Sequence, residues 1–594
     1  VLRPELIQTV WARTVVGALT AGGVDHLIVC PGSRSTPLVA AALELEVPCR
    51  SVLDERSAAF FAVGSAKVSE SPVALVCTSG TAPAHSLPAV IEAAQSATPL
   101  VVVSADRPPE LHGCQAPQTV DQQRLFGTYC RWFADLGVPE ATPQALRGMV
   151  RSVRQAVAMS RFPHPGPVHL NVPLRKPLAP TTPDSAAETE LAAAARSMVD
   201  AGTRHWPPDA PAPSAEAVAA LANACRRAKR GVIVLGPAPL AAANHRRAVA
   251  ELAATTGFPV LAEGTSQQRF HAEAVGDADA FELLAGSDGF EAHLLPDLVL
   301  QLGAPATGGA WGRVMDRHPE VERWLVAASG WPDPHASAHA VVAADVGLLA
   351  SRLAERLRSR RSEIDFNWNE AWTAASLTAW DIVDEVLGDA GSAENAVAEG
   401  AAVRAVSAAV PSDAIIAVGN GLPVRSLDWY LPAVTGSWQV WCQRGASGID
   451  GLIAGAAGAS LAAGRPVVAV LGDVAFAHDA SSLAVAKDVQ HPLVLVVLDN
   501  RGGRLFELLP EAKGLPRKDF ERLWLTPPSV DPTAVARAYG VPAVSASTAA
   551  ETTRAVAEAT GRPGATVVRV AVDPSSHARD LAEIRRRLAA RWNT

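Results

Sequence analysis

The sequence lacks any long uncharged apolar run. No run of about 20 predominantly apolar residues escapes a charge, so no membrane span is expected. The opening stretch VLRPELIQTVWARTVVGALTAGGVDHLIVCPGS repeats its apolar residues at helical spacing and is broken by Arg13. It is therefore not expected to be a signal peptide. The seven cysteines (Cys30, Cys49, Cys77, Cys114, Cys130, Cys225 and Cys442) are scattered, odd in number and without a C-x-x-C pair. That excludes an evident disulfide framework or zinc site and fits a reducing cytoplasm. The usual compact motifs are missing too: no G-x-x-x-x-G-K-[ST], no complete G-x-G-x-x-G, no H-E-x-x-H and no G-x-S-x-G. A net charge of −8 argues against nucleic acid or a membrane surface as partner.

What is present is α/β alternation. A chain of 594 residues is too long for one core and points to roughly three or four domains at ~150 residues each. Residues 25–33, 72–80 and 99–107 read as buried strands without period-2 alternation, as in parallel sheets covered on both faces. Helical stretches such as ERSAAFFAVGSAKV (55–68) separate them. The region 1–180 is thus expected to be one doubly wound domain. An Ala-, Pro- and Asp-rich linker over about 180–215, with one helical segment, precedes a second α/β region at 215–355. That region has strands expected at 230–236, 296–303 and 322–329. The charged segment 351–372 reads as a solvated helix face before a third α/β region at 395–594.

The third region holds GDVAFAHDASSLAVAKDVQHPLVLVVLDNRGG, from Gly472 to Gly503. Two apolar runs, 466–471 and 492–498, read as parallel strands joined by a helix at 480–489. Asp473 and Asn500 then leave the sheet at the same carboxyl edge, where open α/β sheets bind ligands. Their oxygens suit magnesium, with manganese as the alternative, because such cations take hard oxygen ligands and share the rest with phosphates and water. The following turn, Arg501-Gly502-Gly503, can supply a backbone carbonyl, assigned to Gly502. A Gly-Asp pair alone would merely end a strand. Gly-Asp, a helix, a buried strand and Asn-x-Gly-Gly together read as a diphosphate clamp.

With these residues in view the sequence resembles the thiamine-diphosphate (ThDP) enzymes. CPGSRSTPL (30–38), DERSAAFFAVG (54–64), TSGTA (78–82), SADRPPEL (104–111) and RGASGIDG (444–451) narrow the resemblance. Together they are similar to the 2-succinyl-5-enolpyruvyl-6-hydroxy-3-cyclohexene-1-carboxylate synthases of menaquinone biosynthesis. The motifs cover the first ~180 and last ~200 residues; the middle is alike only in architecture. The resemblance implies a pyrimidine-binding domain (1–180), a central Rossmann-like domain (215–355) and a diphosphate-binding domain (395–594). It implies decarboxylation of 2-oxoglutarate and addition of the succinyl-semialdehyde unit to isochorismate. It also implies a homodimer or homotetramer with active sites formed between subunits.

The resemblance also carries residue roles. Glu55 would bond the cofactor's pyrimidine ring and promote its active tautomer. Ile449 would wedge between the two rings, with Ser447 and Gly448 beside it. Asn420, Gly421, Gly472 and Asp473 would approach the diphosphate. Arg34, Arg107, Arg425 and Arg444 would hold substrate carboxylates, since guanidinium groups bind them bidentately and stay charged. Ser33 and Gln118 would add polar substrate contacts. Leu505, Phe506 and Leu509 would wall the isochorismate ring. No His-His pair is present for a proton relay, which suits carboligation, and His85 and His478 read as structural. Gly421 stands where some members carry a polar residue, and GAPATGGAWGR (303–313) lacks a basic pair found in others. The competing readings are an acetolactate synthase or 2-oxoacid decarboxylase, whose substrates carry fewer carboxylates, and a catalytically silent ThDP-binding protein.

Overall fold

The computed structural model describes residues 2–206, 210–271, 278–358, 366–389, 396–433 and 436–592. Its named strands form three sheets, with every pairing parallel. The first contains β1 (Leu27–Val29), β2 (Cys49–Ser51), β3 (Val73–Cys77), β4 (Leu100–Asp106), β5 (Trp132–Asp135) and β6 (Pro167–Pro173). Its order is β2-β1-β3-β4-β6-β5. The second contains β7 (Gly231–Leu235), β8 (Val260–Ala262), β9 (Leu298–Leu302), β10 (Glu322–Ala327) and β11 (Ala340–Ala343), in the order β11-β10-β9-β7-β8. The third contains β12 (Ile415–Val418), β13 (Gln439–Cys442), β14 (Val467–Gly472), β15 (Leu493–Asp499), β16 (Ala543–Ala546) and β17 (Ala565–Ala571). Its order is β13-β12-β14-β15-β17-β16. The fold class is therefore α/β with three doubly wound parallel sheets, as the alternation of apolar runs and helices implies.

The physical reason lies in the central strands. β3 and β4 are buried along their whole length, and β14 and β15 up to their last residue. Their near-continuous Val and Leu content suits a strand covered on both faces. Each such side chain contributes about 1.5–3 kcal/mol when fully buried. The basic run expected as a solvated face is helical up to Arg358 and again from Phe366; its residues 359–365 lie outside the described residues, as do 207–209 of the linker. The linker's helical segment is Ala186–Asp200.

One expectation is corrected. The segment between β14 and β15 is not a single helix at 480–489. It is a short helix Asp473–His478, a 3-10 turn Ala480–Ser482 and one helical turn Leu483–Ala486. The break falls at Asp479. Its carboxylate is drawn away from the local backbone: Oδ2 accepts from Ile453 N (2.7 Å) and Ala454 N (3.2 Å), and Oδ1 accepts from the Ser482 hydroxyl (2.8 Å).

By compactness, Val1–Pro207 forms one unit together with Gln443–Gly464 and Asp479–Gln490. The other unit comprises Pro208–Cys442, Arg465–His478 and His491–Thr594. Within the first unit the helix Glu55–Ser69 packs closely on the helix Leu452–Ala463. A Cβ at Gly64 would overlap the Gly455 carbonyl, and one at Gly458 would overlap the Phe61 carbonyl. The glycine-rich sequence LIAGAAGASLAA is thus what lets the two backbones touch.

Candidate active site

In the second unit, β14 and β15 run in register, with Gly472 level with Leu498. Asp473 and Asn500 therefore leave the sheet at one edge, as their spacing implies. Asp473 is buried, and its Oδ1 accepts from Val474 N (2.8 Å) while Oδ2 accepts from Gly502 N (2.7 Å). The carboxylate thus ties the end of β14 to the turn after β15. That turn needs glycine: Gly502 has φ +119° and a Cβ there would overlap the Leu525 carbonyl. Burial pushes the Asp473 carboxyl up to about 6, the direction expected when a carboxylate is desolvated.

Asn500 is also buried. Its Nδ2 donates to Glu399 Oε2 (3.2 Å), and its Oδ1 is buried with no hydrogen-bond donor among the described residues. Buried polar atoms are normally satisfied, so this oxygen fits the part of a metal ligand. Cβ atoms on Gly472 or Gly421 would meet open space or only Pro423 at 3.8 Å, which leaves room beside the backbone. Asp473, Asn500 and the Gly502 turn are chemically suited to a hard divalent cation. Among the described residues no group of three or more His, Cys, Asp or Glu offers an alternative. In the same unit, Arg425 Nη1 donates to Asn420 O (3.0 Å) and Gly421 O (2.7 Å), closing that loop on itself. Leu505 packs at the edge of a core cluster, and Phe506 and Leu509 are exposed.

In the first unit, Glu55 opens the helix Glu55–Ser69 and is half-buried. Its neighbour Asp54 caps that helix, accepting from Arg56 N (2.9 Å) and Ser57 N (3.1 Å). Cys30 follows β1 and Cys77 ends β3; both lie near enough for the Glu55 charge to raise their thiols further, on top of burial, the larger cause.

Three of the expected substrate residues gather in the first unit. Arg107 Nη2 lies 3.5 Å from Gln118 Oε1, and Gln118 Nε2 donates to Ser79 O (3.0 Å). Arg34 is buried, donates through Nη1 to Leu174 O (2.6 Å), and is held below its usual pKa range by burial and by Arg107. Arg34 Nε and Arg107 Nη1 are buried without acceptors among the described residues. Two adjacent guanidiniums with unmet donors suit an anion. Ser33 is exposed nearby in sequence. Arg444 begins the loop containing Ser447, Gly448 and Ile449; Ser447 takes φ +62°.

Some residues with evident work here escape a reading of the sequence. Glu92 holds the 444–449 loop: Oε1 accepts from Gly445 N (3.2 Å), Oε2 from Ala446 N (2.7 Å), and Lys67 Nζ lies 2.7 Å from Oε1. Asp479 caps the helix that follows that loop. Glu399, 1% exposed, touches Asn500 directly, and burial pushes its carboxyl up to about 7. Glu92 and Glu399 lie in helices and Asp479 in the turn between two short ones, and only a distant partner distinguishes each from a surface acid.

The class emerges from comparison. Residues 10–125 match the family model "thiamine pyrophosphate enzyme, N-terminal TPP binding domain", and residues 433–570 match its C-terminal TPP binding domain counterpart. The chain is 43% identical to the 2-succinyl-5-enolpyruvyl-6-hydroxy-3-cyclohexene-1-carboxylate synthase of Sorangium cellulosum, covering 98% of this chain and 96% of that one. It is 38% identical to the same-named protein of Halobacterium salinarum over 98% of each chain. It is 35% identical to that of Bacillus pumilus over 90% of this chain and 89% of the relative. The chain belongs to the 2-succinyl-5-enolpyruvyl-6-hydroxy-3-cyclohexene-1-carboxylate synthase family of thiamine pyrophosphate enzymes.

Proposed function

We propose that this chain decarboxylates 2-oxoglutarate and adds the succinyl-semialdehyde unit to isochorismate, giving 2-succinyl-5-enolpyruvyl-6-hydroxy-3-cyclohexene-1-carboxylate and CO2. The observation that carries this reading is the 43% identity to a synthase of that name across 98% of the chain. The buried, unmet oxygen of Asn500 beside the Asp473–Gly502 turn supports a cation-anchored diphosphate. Magnesium, or manganese, is held by Asp473, Asn500 and the Gly502 carbonyl. Asn420, Gly421 and Gly472 line the diphosphate, and Ser447, Gly448 and Ile449 shape the cofactor. Bound thiamine diphosphate supplies the electron sink for loss of CO2.

The chain's own residues then divide the work. Glu55 shares a proton with the pyrimidine ring. Arg34, Arg107, Arg425 and Arg444, with Ser33 and Gln118, hold the carboxylates of the two substrates. Leu505, Phe506 and Leu509 exclude water from the acceptor ring, so that carbon–carbon bond formation outruns protonation. The domains serving these roles are 1–180 for pyrimidine, 215–355 as the central domain and 395–594 for diphosphate. The enzyme works in the cytoplasm as a homodimer or homotetramer with sites between subunits. Among the described residues no helix is long and apolar enough to cross a membrane.

The test is consumption of isochorismate, followed with product identification, as each component is withheld. The expected result is turnover only when 2-oxoglutarate, ThDP and Mg2+ are all present. Turnover of pyruvate to acetolactate, or of a 2-oxoacid to a free aldehyde without need for isochorismate, would replace this reading.

A further inference from the structure

Glu399 lies outside every motif that marks the site, yet it touches the site's most conspicuous unmet side chain. It is the first residue of the helix Glu399–Ser407 and is 1% exposed. Its Oε2 accepts from Asn500 Nδ2 (3.2 Å), and its Oε1 accepts from the Ser426 hydroxyl (3.2 Å). Its backbone N–H donates to Ser576 Oγ (3.0 Å), so the acid is anchored from two further elements. An acid in a first helical turn is often there for the helix dipole alone. Such a residue sits comfortably at the surface; one sunk to this depth carries a desolvation cost that only its hydrogen-bond donors offset.

The chemistry of the asparagine amide gives the contact its meaning. Its oxygen and nitrogen have nearly the same shape and exchange places by a half-turn of the terminal torsion. Only the nitrogen can face an ionised carboxylate, because an amide oxygen there would set two acceptors against each other, and Nδ2 is the atom that meets Glu399. With Nδ2 held by Glu399, Oδ1 is the one polar atom of that side chain left, and it is buried without a donor among the described residues. An amide oxygen can ligate a hard cation and an amide nitrogen cannot.

We infer that Glu399 is a positioning residue for the cation: it fixes the Asn500 amide so that the oxygen is the ligating atom. This rests on the reading of Asn500 as a metal ligand. Groups that orient metal ligands in this way commonly set metal affinity by about 10–100-fold.

The experiment titrates Mg2+ into the full-length apo-protein at fixed ThDP, without substrates, and follows binding by calorimetry. Glu399→Gln can donate as well as accept, so either orientation of Asn500 becomes acceptable. It should raise the Mg2+ concentration for half-saturation by about 10-fold or more, with little change in unfolding temperature of the apo-protein. Combining it with Asn500→Asp should lower that requirement again, because Asp offers an oxygen at both positions and the glutamine amide brought in by Glu399→Gln can donate to one of them. A wild-type Mg2+ requirement in Glu399→Gln, or a double variant no better than Glu399→Gln alone, overturns the inference and leaves Glu399 as a helix anchor. Should Glu399→Gln not fold, Glu399→Asp withdraws the same charge by one methylene; it should raise the requirement too, and wild-type behaviour there overturns the inference equally. Asn500→Ala separates the two levels. If it abolishes Mg2+-dependent binding while Glu399→Gln is silent, only this inference falls; if Asn500→Ala is itself silent, the metal assignment falls and takes this inference with it.

Discussion

The first and third sheets have the same strand order, counted within each, yet their corresponding strand ends carry opposite chemistry. β4 ends in Asp106 followed by Arg107; β15, in the same place, ends in Asp499 followed by Asn500. Both terminal aspartates are occupied by the neighbouring strand: Asp106 accepts from Asn171 (2.9 Å) and Asp499 pairs with Arg569 (2.6 Å). They hold the edge together, and the next residue stands just past the end of the strand. In one sheet that residue is a cation, and in the other a neutral oxygen donor. β3 gives way to Thr78, whereas β14 gives way to Asp473. The third sheet can therefore gather hard oxygens at its edge, and the first gathers guanidiniums. The lesson is that one scaffold offers the same edge positions twice, and single residues just past the strands decide whether that edge presents oxygens or guanidiniums.

The sharpest way to break this contrast is to remove its acid. Asp473→Ala is expected to abolish Mg2+-dependent ThDP binding while the sheet stays folded, because the adjacent strands keep their ladder. Calorimetric titration reads the loss and circular dichroism reads the fold; undiminished affinity would dissolve the difference between the two sheet edges. Glu55→Gln is the counterpart in the first unit. It should leave Mg2+ binding intact and reduce turnover by ~100-fold or more, in line with general acid–base contributions. Exchange of the thiazolium C2 proton, followed by NMR after acid quench, should slow in parallel, and an unchanged exchange rate would remove Glu55 from this role.

Arg107→Ala tests the other half of the contrast, that the β4 edge handles substrate and not cofactor. ThDP affinity should be unchanged. Loss of a charge-assisted pair to a carboxylate should weaken productive binding by about 2 kcal/mol or more, roughly 30-fold in kcat/KM. Kinetics varied separately in 2-oxoglutarate and isochorismate would show which substrate it serves. Wild-type kinetics in both would return Arg107 to structure.

Much of this is legible in the sequence. The central strands announce themselves because their Val and Leu runs are buried on both faces, and β14 and β15 fall on the two apolar runs 466–471 and 492–498. Asp473 and Asn500 can be placed together because a parallel crossover leaves few alternatives for where two strand ends emerge. Short edge strands such as β5 (WFAD) and β16 (AVSA) carry too few residues for a pattern. The helix expected at 480–489 fails because helical spacing says nothing of Asp479, whose Oδ2 accepts from backbone N–H groups 25 and 26 residues away while its Oδ1 takes the Ser482 hydroxyl. Glu399 escapes for the same reason: its partner Asn500 is 101 residues distant, and nothing local in AVAEGAAVRAV marks it. Local chemistry is visible in a sequence; a long-range hydrogen bond is visible only once the fold has chosen it.

Mixing the two dead variants asks whether the sheets act within one chain or across two. Glu55→Ala and Asp473→Ala are each expected to be inactive. If subunits exchange freely in two-fold dimers, about half of the dimers are mixed. In a mixed dimer with interfacial sites, one site receives both lesions and the other neither. Roughly a quarter of wild-type activity should return, read as product formed after proven exchange. Activity that stays at background would place Glu55 and Asp473 of the same chain in one site.

The smallest expected effect separates two aspartates that look alike in sequence, each standing at the start of a helix. Asp54 Oδ1 accepts from Arg56 N and Ser57 N, the second and third N–H groups beyond it, which is the pattern of a helix cap, and its Oδ2 accepts from the Ser481 hydroxyl (3.3 Å). Asp473 accepts from Val474 N and from Gly502 N, so half of its hydrogen bonding leaves its own helix for the turn after β15. Asp54→Ala should therefore cost about 1 kcal/mol of stability, the usual worth of a cap, with cofactor affinity close to wild type. Asp473→Ala should do the reverse, sparing stability and losing the cofactor. Stability is read by denaturant unfolding of the apo-protein, and affinity by titration with ThDP and Mg2+. The stability loss should come from the helix Glu55–Ser69 fraying at its start. A loss of ThDP affinity in Asp54→Ala as deep as that in Asp473→Ala would mean that Asp54 serves the cofactor as well as its helix, and the contrast between cap and clamp would have to be given up.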